Sequence, residues 1–139
     1  MPELAQPLTS GPSARWSEVI PLTDLPPMLD QAISRLRELS QLADNWDGYG
    51  SPRITEAAKR SAIALLAELR SYAIPGMHLD GVPGGGLQFE WEIGPRALEI
   101  EILPDGALEY LVAERDDMLE GVLNDPSTLL VLLRWLMRC

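Results

Sequence analysis

Cysteine, histidine, lysine and phenylalanine each occur once in this chain of 139 residues. Each scarcity closes off some chemistry. The single cysteine, Cys139, is the last residue, so neither an intramolecular disulfide nor a cysteine-built zinc site can form. A reducing cytoplasm fits that usage. His78, in Met77-His78-Leu79-Asp80-Gly81, has no second histidine at helical spacing to share a metal with. No nucleophile-elbow sequence offers it a serine either. No catalytic residue is assigned, and His78 reads as a surface loop residue. Long apolar runs are missing too. Runs such as Leu129–Leu133 are far short of a membrane span, and the opening residues lack the basic and apolar halves of a secretory signal.

Positive charge is also short. Lys plus Arg is 11 against 21 for Asp plus Glu, a net charge of -10. Direct nucleic-acid binding needs a cationic surface, and an anionic membrane repels such a chain. A basic protein partner is the macromolecule this balance permits.

What is present is a pattern. Residues 1–24 hold prolines at 2, 7, 12 and 21 and no period, which predicts a flexible or extended arm. Trp16, Val19, Ile20 and Leu22 are its apolar handholds. Residues 25–139 form one α+β domain. In 26–43, Leu29, Ile33 or Ala32, Leu36, Leu39 and Ala43 make a helical stripe, with Pro26 and Pro27 in its first turn. A second helix begins near Pro52 or Thr55, with Ser51 as a plausible N-cap. Ala58, Ala62, Leu65, Leu66 and Leu69 line its apolar face, and Pro75-Gly76 stops it.

Between these helices lies Ala-Asp-Asn-Trp-Asp-Gly-Tyr-Gly-Ser-Pro, residues 43–52. As a calcium loop it has a glycine at Gly50 and an acid at Glu56 in the right places. Asn45, Tyr49 and Pro52 break the ligand pattern. A structural corner fits better: Asp44, Asn45 or Asp47 caps amides, Gly48 and Gly50 take positive φ, and Trp46 and Tyr49 plug the core.

Residues 77–86 read as loop with a short strand near Met77–Leu79. Gly84-Gly85-Gly86 has no phosphate-loop lysine after it and is taken as a turn. Three runs then alternate strictly. Leu87, Phe89, Trp91 and Ile93 face one way, followed by Leu98, Ile100 and Ile102, then by Leu108, Tyr110 and Val112. The expectation is a two-layer fold in which a three- to four-stranded antiparallel β-meander packs against helices, in the order α-α-β-β-β-α. Residues 115–126 suggest a short helical turn. Asp125-Pro126-Ser127 introduces a last helix that is apolar nearly all round, with Trp135 among its side chains.

The alternation sends Glu90, Glu92, Glu99, Glu101 and Glu109 to the other face, with Arg96 as the cation nearest in sequence. Three readings stand open: a solvated face, a docking surface for a basic partner, or a divalent-metal site or metal-dependent enzyme. The last helix offers core packing on one side and association on the other, through Trp135 with a partner or as a homodimer. No metal site and no cofactor is assigned.

The segments Asn45-Trp46-Asp47-Gly48-Tyr49-Gly50, Gly85-Gly86-Leu87-Gln88-Phe89-Glu90-Trp91 and Leu98-Glu99-Ile100-Glu101-Ile102 resemble a family of small, mostly uncharacterised bacterial proteins. The likeness spans roughly residues 29–112. It implies a bacterial accessory protein of a mobile or defence-type locus and brings no catalytic residues. With the charge, it leads to the expectation of a non-enzymatic interaction module, antitoxin- or immunity-like.

Overall fold

The computed structural model describes residues 29–72 and 74–138. The expected arm at 1–24, Pro26, Pro27 and Cys139 lie outside the described residues. The order is α1 (Asp30–Ser40), α2 (Glu56–Leu69), β1 (His78–Val82), β2 (Gly86–Ile93), β3 (Arg96–Ile102), β4 (Leu108–Glu114), β5 (Asp117–Val122) and α3 (Pro126–Met137). The α+β class and the antiparallel meander stand. The sheet, however, has five strands in sequential order rather than three or four.

The outer strands flank the three alternating runs. β1 extends the short strand expected near Met77–Leu79. β5 replaces the helical turn expected over 115–126. It pairs with β4 from Glu109↔Val122 to Glu114↔Asp117 across a two-residue loop. No residue of β5 is fully buried, so it carries no alternating core signal.

Alternation builds the layer contact. Leu79, Leu87, Phe89, Trp91, Leu98, Ile100, Ile102 and Leu108 are buried on one face of the sheet. Against them pack Leu36 and Leu39 of α1, Leu65 and Leu66 of α2, and Leu129, Leu133 and Leu136 of α3. α1 lies beside β1, α2 across β2 and β3, and α3 on β3. Fully burying an aliphatic or aromatic side chain stabilises by about 1.5–3 kcal/mol, so this seam carries the fold.

Helix ends follow local chemistry, with two shifts from expectation. α1 ends at Ser40, so Ala43 lies exposed beyond it and Leu42 packs on the core instead. α2 is capped by Thr55, whose hydroxyl accepts from Ala58 N at 3.0 Å, and not by Ser51. The Ser51 hydroxyl is engaged by Asp47 at 2.5 Å. Asp125 caps α3, accepting from Thr128 N at 2.8 Å, with Pro126 in the first turn.

Candidate functional site

The corner at 43–52 is held by its own polar groups. The Asp47 carboxylate accepts from the Tyr49 amide at 2.9 Å, the Ser51 amide at 3.2 Å and the Ser51 hydroxyl. Asn45, at φ 64, accepts on Oδ1 from the Gly50 amide at 2.7 Å. Asp44 accepts from the Arg53 amide at 2.9 Å. These bonds lower both acids below the usual aspartate range: Asp47 chiefly through the Ser51 hydroxyl, Asp44 chiefly through the Arg53 amide. The carboxylates are engaged in closing the loop. Gly48 and Gly50 have φ of 79 and 86, conformations that side chains resist.

The two aromatics of this loop part company. Trp46 is half-buried against the core, and its indole N–H donates to the Pro52 carbonyl at 2.9 Å. Its ring lies over Gly81 of β1, where an added Cβ would sit 3.0 Å from Cη2. Trp46 therefore joins the corner to the sheet, and Gly81 makes the room. Tyr49 does not plug anything: it is 92% exposed. The two glycines beside it turn the chain outward at that point.

On the sheet face away from the core, register assembles two rows. One runs His78, Glu90, Glu99, Leu111, Glu120; the other runs Asp80, Gln88, Glu101, Glu109, Val122. Glu90 is thus the direct partner of Glu99, and Glu101 of Glu109. Glu92 stands at the end of β2, opposite Ala97. Glu99, Glu101, Glu109 and Glu120 line a concavity of about 290 Å³ with Leu111 and Val122. Partial burial pushes Glu99 above the usual glutamate range, and the charges of Glu90 and Glu101 push it further.

Among the described residues, cations stay off the glutamates of these rows. Among the described residues, Arg35 bridges Asp80 at 2.8 Å from the β1 edge. The other ion pairs join Arg53 to Asp44, Lys59 to Glu56, Arg35 to Glu38 and Arg96 to Glu114. None of them reaches Glu90, Glu92, Glu99, Glu101, Glu109 or Glu120. Among the described residues, Gln88 donates to Glu90 at 3.0 Å.

Arg96, the cation nearest the glutamates in sequence, is on the other face. It donates from Nη1 to the Trp135 carbonyl at 2.8 Å and the Arg138 carbonyl at 2.7 Å. Its guanidinium lies 5.5 Å from the Trp135 ring centroid, and Nε is 3.4 Å from Glu114. It closes the C-terminal end of α3, where a cation suits the exposed carbonyls. Its parity with Leu98, Ile100 and Ile102 was the signal that could have placed it there.

Trp135 is half-covered, packed on the core beneath Arg96. The outward apolar residues of α3 are Val131 and Met137. His78 is exposed at the start of β1, and the nearby Asp80 is occupied by Arg35. Among the described residues, no group of three or more His, Cys, Asp or Glu side chains is placed to hold a metal ion. Nor is any helix among them long and apolar enough to cross a membrane.

Fold and face together define a two-layer α+β domain with one acidic sheet surface. No family model, curated protein or solved structure matches the chain.

Proposed function

We propose that this protein is a non-enzymatic interaction module that docks a basic protein partner on its glutamate-rich sheet face. The observation that carries the reading is the direct opposition of Glu90 with Glu99 and of Glu101 with Glu109 on a face where no described ion pair offsets them. Like charges directly across a sheet cost roughly 0.2–1 kcal/mol each. A basic partner converts that cost into binding and speeds encounter with a field of -10 net charge. The resemblance to small bacterial proteins extends the reading to an accessory or defence-type system, with an antitoxin- or immunity-like role in the cytoplasm.

The test is affinity capture from the native host, at low and high salt, with the wild-type chain and with Glu90, Glu99 and Glu101 changed to Gln. A basic protein held by the wild type, released by salt and lost in the variant supports the reading. Capture that ignores the three substitutions overturns it.

A further inference from the structure

The two edges of the sheet are finished differently. At the β1 edge α1 lies alongside, and Arg35 Nε donates to the Leu79 carbonyl at 3.1 Å while its other end holds Asp80. At the opposite edge, β4 is the one described element on which β5 packs extensively. Leu123 N donates to the Leu108 carbonyl at 2.9 Å, which sets the alternation of the antiparallel ladder from there. Leu119 and Gly121 turn their amides and carbonyls to β4. Met118, Glu120 and Val122 turn theirs outward, and among the described residues no backbone hydrogen bond reaches them.

Edges of this kind are usually blunted with lysine, proline or a covering element. The β5 sequence, Asp117-Met118-Leu119-Glu120-Gly121-Val122, has neither residue. It exposes Met118 at 67%, Leu119 at 62% and Val122 at 56%. On the core side, Leu119 borders a concavity of about 240 Å³ with Val112 and Trp135. On the far side, Glu120 and Val122 border the acidic concavity. A strand laid against β5 would project alternate residues to these two surfaces.

We infer that the β5 edge is where the partner attaches, through an extended basic segment that adds a sixth strand to the sheet. Its alternate side chains are apolar towards Leu119 and Trp135, and lysine or arginine towards Glu120. Strand addition draws affinity from main-chain bonds and specificity from such alternating surfaces. A second copy of this chain is disfavoured as the occupant, because it brings another net charge of -10 and another Glu120 to the same edge. The inference rests on the proposal of a basic partner and adds where and how that partner binds.

The full chain is titrated with an end-capped heptapeptide alternating Lys and Val, and with the same peptide N-methylated along its backbone. Calorimetry gives the affinities, and amide exchange follows Met118, Glu120 and Val122. The expected result is exchange slowed at those three amides, with at least about tenfold weaker binding of the N-methylated peptide, as for loss of one or more net main-chain hydrogen bonds. In Met118→Pro, which removes an outward N–H and no bond to β4, the peptide should no longer bind while the melting temperature stays near wild type. Equal binding of both peptides to the wild type overturns the edge and leaves the acidic face as the docking surface. So does no binding of the unmodified peptide, and the capture experiment then judges the basic partner separately. Slow exchange at the three amides before any peptide is added also overturns it; light scattering then tells a second copy from the chain's own residues as the occupant.

Discussion

Glu90 on β2 and Glu99 on β3 are direct cross-strand partners on the open face of the sheet, and neither has a described cation in reach. Glu99 feels this pair most, because it is partly buried and Glu101 lies two residues on. Its proton is held more tightly in the folded chain than in the unfolded one. The folded state therefore binds more protons between the ordinary value of 4.5 and the raised one, so stability from this group falls as pH rises through that window.

Glu99→Gln should accordingly stabilise the isolated protein at neutral pH by roughly 0.5 kcal/mol, discounted for solvent screening. The gain should vanish once pH falls below Glu99's unfolded value of 4.5. Asp44 and Asp47 run the opposite way. Their folded values lie below 3.8, so the stability they supply is present above 3.8 and is lost as pH falls through the lowered values. Thermal melts of wild type and variant across pH read both effects.

Trp46→Ala should destabilise by about 2–3 kcal/mol, less than the 3–5 kcal/mol of a fully buried ring because Trp46 is half-buried. Tyr49→Ala should change stability by no more than about 0.5 kcal/mol. Denaturant titration of the pair separates the plug from its exposed neighbour. Equal effects would contradict the corner as described.

Gly81→Ala should behave as a milder version of the Trp46 loss. The added methyl meets the indole at 3.0 Å, so ring and strand must separate. A cost of roughly 1–3 kcal/mol is expected, as for overpacking. The double variant Gly81→Ala, Trp46→Ala should lose less than the sum of the two, and denaturant titration measures that coupling.

Arg96→Ala should loosen α3 from the sheet, since two terminal carbonyls, Glu114 and the Trp135 ring all lose their cation. A loss of about 2–4 kcal/mol is expected. Arg96→Lys should recover only part of it, because an ammonium cannot reproduce the planar fork. Near-ultraviolet dichroism of Trp135 and denaturant melts check this.

The sequence disclosed those parts of the fold where one face is buried. β2, β3 and β4 alternate because Phe89, Trp91, Leu98 and Ile100 must all reach the same core. β5 escaped because Met118 and Leu119, its adjacent apolar residues, fall on opposite faces and both stay exposed. With it went Glu120, which completes the acidic concavity. Tyr49 was misplaced because an aromatic in a loop suggests burial, whereas positive-φ glycines on both sides of it point it outward. Arg96 is the cation nearest the glutamates in sequence, but strand parity sets it with Leu98 on the other face.

The most direct test of the acidic face is the affinity of the captured partner for the wild type and for the chain with Glu90, Glu99 and Glu101 changed to Gln, measured over a salt series. The prediction is wild-type binding that weakens steeply with salt, and a variant roughly a hundredfold weaker with a flatter salt dependence. Equal affinities with equal salt slopes would contradict it.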